Sequence, residues 1–203
     1  MCFDRTSSLL AWSLAYSISV FLFFRNRNYD RWNAAFILCF TTIQLLEAGI
    51  WSNPSESINN LLTTLVLLVL VCQPLVQSYM GYTFTKSAIL KFMCFAYAAI
   101  LLWSLYRIAT SKQGQFSSAP GPNGHLIWRD SQSTNFLTNT PLTVVYIAGL
   151  LIPLLFMKNG KGLPLIAIGG ATAAYSFLVA GKDEFGSYWC FTSVAYAIVS
   201  LFL

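Results

Sequence analysis

The chain has 203 residues, of which 12 are Lys or Arg and 7 are Asp or Glu, giving a formal charge of +5. Charged side chains make up 9% and hydrophobic ones 56%, and the mean hydropathy is +0.61. A soluble domain carries about 25% charged residues, so a water-solvated globule is excluded and the chain reads as a single integral membrane domain over 1–203.

A bilayer core of about 30 Å takes roughly 20 apolar residues as a helix. Seven stretches meet or approach that length: 8–24, 31–51, 58–79, 87–108, 141–157, 163–181 and 185–203. The expected fold is therefore all-α, a bundle of seven transmembrane helices with a short extramembrane β-hairpin-like loop. A closed β-barrel is excluded because the runs are continuously apolar instead of alternating. Span 1 follows a charge-balanced leader with no small-residue cleavage site before Arg25, so it reads as a retained span, not a signal peptide. Span 3 contains Pro74 and span 5 contains Pro153, each of which removes an N–H from its helix and frees a carbonyl one turn back. Thr140-Pro141 reads as an N-cap followed by Pro at the first helical position, and Pro164 opens span 6 in the same way. In span 6, Gly169-Gly170 invites close helix approach. These four residues, Pro74, Pro153, Gly169 and Gly170, are the expected hinges. Asp183 and Glu184 suit the dipole at the start of span 7.

The loops after spans 1, 3 and 5 hold seven Lys and Arg, and the opposite side holds five. The positive-inside rule then places the N-terminus outside or lumenal and the C-terminus in the cytoplasm. Trp12, Trp51, Trp103 and Trp189 are expected in an outer aromatic belt and Trp32 in an inner one. The long outer loop, 109–140, carries the turn cluster Ala119-Pro120-Gly121-Pro122-Asn123-Gly124 between Gln115-Phe116-Ser117 and His125-Leu126-Ile127-Trp128-Arg129. An apolar, β-prone segment after such a turn predicts a hairpin, and a long ordered loop at this place reads as a lid over the bundle.

Several of these pieces occur together: Met1-Cys2 leading into span 1, Arg25-Asn26-Arg27-Asn28-Tyr29-Asp30-Arg31-Trp32-Asn33-Ala34 between spans 1 and 2, and Ile43-Gln44-Leu45-Leu46-Glu47 before Trp51. To them are added Gly121-Pro122-Asn123-Gly124-His125-Leu126-Ile127-Trp128 in the loop and Gly186-Ser187-Tyr188-Trp189-Cys190 in span 7. The set resembles the DUF5765-like family of small polytopic membrane proteins of unknown function from protists, algae and large DNA viruses. The resemblance runs end to end and implies that the outer-face motif residues belong together. It brings no activity, substrate or cofactor.

Candidate chemistry gathers on span 2. Asn33, Ile37, Phe40, Gln44, Glu47 and Trp51 recur at helical spacing and line one face. Glu47 is the sole acidic residue within a span, and an ionisable group there marks a solute or ion site by default, or a carboxylate paired with a cation. One turn from Trp51, it is expected about 6 Å below the outer boundary, where Arg107, Arg129 or Lys182 is an available partner. Gln44, Glu47, Trp51, His125, Arg129, Asp183 and Glu184 are the candidate solute- or ion-binding residues, and if the loop folds over the bundle, His125, Glu47, Asp183 and Glu184 converge at the outer mouth as a proton- or cation-sensitive site. His125 is the only histidine, so no metal centre and no cofactor are expected. Five cysteines without a CxxC exclude redox catalysis of that type; Cys2 and Cys190 both map outside, where a disulfide is permitted.

Basic residues scattered between apolar runs exclude a nucleic-acid surface. No Lys lies in span 7, which excludes a retinal Schiff base in that position, and GxSxG, HExxH and Walker A motifs are absent. The leading expectation is a channel or transporter for a small ion or polar solute. A non-catalytic accessory subunit or receptor-like scaffold using the 109–140 loop comes next, and a lipid-active enzyme third. Expected partners are membrane lipids and another membrane protein or a second copy.

Overall fold

The computed structural model describes residues 4–52, 54–112, 115–130 and 140–203. The chain is mostly helical with one small sheet. In order, the helices are α1 (Arg5–Arg25), α2 (Asp30–Ile50), α3 (Glu56–Thr85) and α4 (Ala88–Ala109). The strands β1 (Phe116–Pro120) and β2 (Leu126–Asp130) follow, then α5 (Thr140–Leu151), α6 (Leu163–Thr192) and α7 (Val194–Ser200). Two 3-10 turns, Ile152–Phe156 and Lys158–Gly160, connect α5 to α6.

Local signals set these limits. The Asp4 carboxylate accepts from the Ser7 amide at 2.7 Å and caps α1. Asn26 at φ 50° and Lys86 at φ 57° end α1 and α3 in the left-handed conformation that commonly stops a helix. Short connections make α1 through α4 sequential antiparallel neighbours. α2 lies at the centre, with 61% of its apolar window buried, whereas α4 buries 11% and touches chiefly α3, so α4 is peripheral.

Five helices, not seven, are long and apolar enough to cross a bilayer: α1 to α4 and the joined run Leu163–Ser200. One shortfall is α5. Its apolar helix ends after 12 residues because Pro153 cannot donate to the ladder, and the chain tightens into the 3-10 turn at Ile152. The other is the merging of the last two expected spans through Gly181. That residue has φ 71° and ψ −176°, a conformation open to glycine. The run does not continue straight. Ser176 and Thr192 hydroxyls meet at 2.9 Å, and the Trp189 indole donates to Thr172 at 3.2 Å. A straight helix would separate positions 176 and 192 by about 24 Å. The arm after Gly181 therefore lies back against the arm before it.

The end remote from the sheet is tied by Arg25. Its guanidinium makes a two-pronged ion pair with Asp30 at 2.7 and 2.8 Å and donates to the Leu201 carbonyl at 2.6 Å. The Lys158 amide donates to the Tyr29 hydroxyl at 2.8 Å beside it.

Several expectations are corrected by packing. Trp32 and Trp189 are buried in the core, not seated in aromatic belts; the Trp32 indole donates to Gln77 at 2.8 Å. Pro74 is buried within a continuous α3 and packs against α5, where a Cβ on Gly149 would come 2.6 Å from the Pro74 Cβ and 2.4 Å from the Tyr97 ring. It is a packing point between helices. Of the glycine pair, Gly169 sits near Leu151, but a Cβ on Gly170 would meet nothing within 4 Å, so Gly170 takes no part in close helix approach.

Glycine is sterically required elsewhere. A Cβ on Gly162 would lie 1.9 Å from the Leu154 carbonyl oxygen. Gly162→Ala is expected to destabilise the bundle by about 3 kcal/mol or more, the upper end of overpacking costs. Gly170→Ala is expected to be neutral or stabilising by about 0.5–1 kcal/mol. Thermal unfolding of the two variants in the same detergent checks the contrast.

Candidate functional site

The sheet forms at the predicted place. β1 and β2 pair antiparallel with Phe116 opposite Asp130 and Pro120 opposite Leu126, closed by a turn in which the Gly121 amide donates to the His125 carbonyl at 2.7 Å. Leu126, Ile127 and Trp128 are buried beneath it. Asn59 of α3 grips β1 by its backbone, donating to the Ser118 carbonyl at 3.0 Å and accepting from the Ser118 amide at 2.9 Å. Thr63, one turn on, hydrogen-bonds the Ser118 hydroxyl at 2.7 Å.

The other anchor is Glu184, just past the Gly181 reversal and 1% exposed. Its carboxylate accepts from the Asn123 amide at 2.9 Å and from the His125 amide at 2.8 Å. The Asn123 side chain donates to the Ala180 carbonyl at 3.1 Å. Gly121 lies so close that a Cβ there would fall 2.4 Å from the Glu184 carboxyl carbon. The His125 ring rests on Tyr188 with centroids 4.3 Å apart. Burial holds the His125 imidazole below its ordinary value, and the Glu184 carboxylate partly opposes that effect.

Beneath the hairpin lies the polar face of α2. Asn33, Ile37, Phe40, Gln44 and Glu47 are all buried as the spacing predicts, and Trp51 is half-buried. Glu47 is fully buried. The side chains of Ser187, Trp128 and Gln44 face its carboxylate, yet neither oxygen has a hydrogen bond of full geometry. The Ser187 hydroxyl and the Trp128 and Trp51 indole nitrogens are likewise buried with no hydrogen bond of full geometry. The ion pair with Arg107, Arg129 or Lys182 does not form; all three cations are exposed, and Arg107 lies over the Trp103 ring. Among the described residues the one salt bridge is Arg25–Asp30, at the opposite end.

The expected cluster is therefore divided. His125 and Glu184 meet directly. Gln44 and Glu47 lie below, reached through Trp128 of the same hairpin and Ser187 of the same arm as Glu184. Asp183 and Arg129 are exposed. Cys2 lies outside the described residues, and Cys190 is buried within the bundle. No group of three or more metal-ligating side chains occurs among the described residues.

Further down, residues that the sequence reading did not single out extend the polar face. Tyr146 donates to Gln73, Tyr196 donates to Asn33 at 3.2 Å, and Gln77 donates to the Leu150 carbonyl at 3.2 Å. Gln73 and Gln77, four apart on α3, carried a readable helical signal. Their partners lie on α2 and α5 and carried none. No family model, curated protein or solved structure matches the chain.

The hairpin anchor yields a pH dependence. A lowered folded-state value means that the docked hairpin favours the neutral imidazole. That contribution is full above the ordinary histidine value of about 6.5 and is lost as the pH falls below it. Amide-exchange protection of β1 and β2 is expected to drop on acidification through this window, and His125→Gln is expected to flatten the change. Glu184→Ala, which strips the buried His125 amide of its acceptor at about 1–3 kcal/mol and the Asn123 amide of its own, is expected to abolish the protection at neutral pH.

Proposed function

We propose that this chain is a multi-pass membrane protein that conducts or transports a small ion or polar solute, with Glu47 at its binding site. The observation that supports this most is the Glu47 carboxylate, buried within α2 with no salt bridge to a cation among the described residues. A buried charge is costly unless it is paired or neutralised. The acidic site therefore favours a proton or a small monovalent cation as its partner. Polar side chains continue from it along the bundle through Gln44, the Gln73–Tyr146 pair and the Asn33–Tyr196 pair.

In this reading the protein makes seven crossings. The reversal at Gly181 supplies two from the joined last run, and α5 with its 3-10 extension is the short one. Seven basic residues at the Arg25 end against five at the hairpin end set the hairpin outside or in a lumen. A role as a partner-binding scaffold through the 109–140 loop has less support, because Phe116, Leu126, Ile127 and Trp128 face inward.

Flux across proteoliposomes, measured for protons, K⁺, Na⁺, Cl⁻ and small polar metabolites, tests the reading. Glu47→Gln keeps the shape and removes the charge. It is expected to lower flux by at least about 100-fold, the scale of losing one essential charge interaction of roughly 3 kcal/mol. Equal flux in parent and variant, or none in either, overturns the assignment.

A further inference from the structure

Two and three turns along α2 from Glu47, Phe40 and Phe36 border a cavity of about 40 Å³ shared with α3, α5, α6 and α7. At 1.5 Å per residue, Phe40 lies about 10 Å from Glu47 along the helix axis. One water needs roughly 10–15 Å³ counted in the same way. The space of about 40 Å³ therefore takes two or three waters and nothing much larger.

Much of the wall is apolar, but Gln73, Tyr146, Ser193 and Tyr196 also line it. Their hydroxyls give their hydrogens to protein acceptors. Tyr146 donates to the Gln73 amide oxygen, Ser193 to the Trp189 carbonyl at 2.7 Å and Tyr196 to Asn33 at 3.2 Å. Each hydroxyl oxygen keeps lone pairs with which to accept. The Gln73 amide nitrogen is the opposite case, a buried donor with no hydrogen-bond partner among the described residues. Buried donors almost always find an acceptor, and a buried water typically makes about three hydrogen bonds to such groups. Water fits both needs within this volume: it accepts from Gln73 and donates to the tyrosine and serine oxygens.

The cavity stands between Glu47 and the Arg25 end. Gln44 lies on the turn of α2 between Glu47 and Phe40. Cys190, on the cavity wall, is one turn beyond Ser187, which faces the Glu47 carboxylate. On the far side Tyr196 leads to Asn33 and, one turn on, to Ser200, whose carbonyl accepts from Arg25 at 3.4 Å. No Asp, Glu, Lys, Arg or His among the described residues lines the cavity. Na⁺ or K⁺ would be desolvated there without a countercharge, and so few waters cannot rebuild a hydration shell. A proton passes from one water to the next without any heavy atom crossing the space.

Resting on Glu47 as the ion site, we propose that the ion is the proton and that this cavity holds the waters that relay it between Glu47 and the Arg25 end. The Glu47 carboxyl gives its proton to the hydrated chain and is left as the carboxylate. Each hop forms one O–H bond and breaks another, and one proton leaves on the Tyr196 side. A proton arriving from the hairpin end restores the carboxyl.

NMR cross-relaxation from water to the Gln73 side-chain amide, on the full chain in lipid nanodiscs, tests the hydration. Ion flux in proteoliposomes tests the relay. The parent is expected to show a water contact at the Gln73 amide, assigned by its loss in Gln73→Leu, and to pass protons with no Na⁺ or K⁺ flux above the lipid background. Ser193→Leu, which puts a larger side chain into the space, is expected to remove the water contact at Gln73. Gln73→Leu combined with Tyr146→Phe makes the wall less polar and leaves no orphaned hydroxyl. That variant is expected to melt no lower than the parent and to pass protons at least about tenfold more slowly, the factor for one hydrogen bond. Flux of Na⁺ or K⁺ that Glu47→Gln abolishes overturns the proton assignment and leaves Glu47 as the ion site. A parent without the water contact, or parent-like proton flux in the folded double variant, overturns the relay alone. Absence of any ion flux that responds to Glu47→Gln overturns both.

Discussion

The two hydrogen bonds from the hairpin turn to Glu184 fix the hairpin end of the molecule. A carboxylate on the returning arm after Gly181 finds its partners in the backbone amides of Asn123 and His125, 59 to 61 residues earlier in the chain. Backbone donors need no particular side chain, so the contact constrains the shape of the turn more than its composition. Gly121 supplies the closeness. With the turn seated, β2 lays Trp128 over α2 and Ser187 falls on the same side as Glu184, three residues on. The dry surroundings of Glu47 are thus a product of this latch. If the turn were lifted, the Glu47 carboxylate would regain water and the electrostatic problem at its centre would disappear.

The interior is organised by helices that hold each other closely. Pro74 on α3 and Gly149 on α5 fit together beneath the Tyr97 ring, and Tyr97 donates to the Val145 carbonyl at 2.7 Å. Pro74, which looked like a hinge in isolation, is wedged between helices. The backbone departs from the helical ladder at the 3-10 turn after α5, which holds Pro153, and at Gly181. The polar groups in between are mostly paired across helices, and such pairs specify which faces meet.

Much of this was legible from composition and period. The first four helices fall within a few residues of the expected spans, except that α3 extends further, to Thr85. The buried face of α2 and the two strands were predicted from spacing and turn chemistry. What failed depended on neighbours distant in sequence. The environment of Glu47 is set by Trp128 and Ser187, and nothing local to α2 reveals that nearby cations turn outward. Trp189 was placed by the general preference of indoles for interfaces, whereas here it stacks on Phe185 and bonds Thr172 inside the bundle. Gly169 and Gly170 are adjacent and chemically identical. Only the rotation of the helix decides that one borders a cavity and the other open space. The Gln73–Tyr146 pair joins positions 73 residues apart, beyond the reach of any local pattern.

Arg25 carries a consequence for how the protein is made. Its guanidinium closes on the Leu201 carbonyl, 176 residues further along the chain. During synthesis Arg25 therefore has only Asp30 to bind until the end of α7 arrives to accept from the remaining donor. At the face remote from the hairpin, α1 and α7 are joined by a side chain of one and a backbone carbonyl beyond the other, a contact that only the arrival of Leu201 can complete.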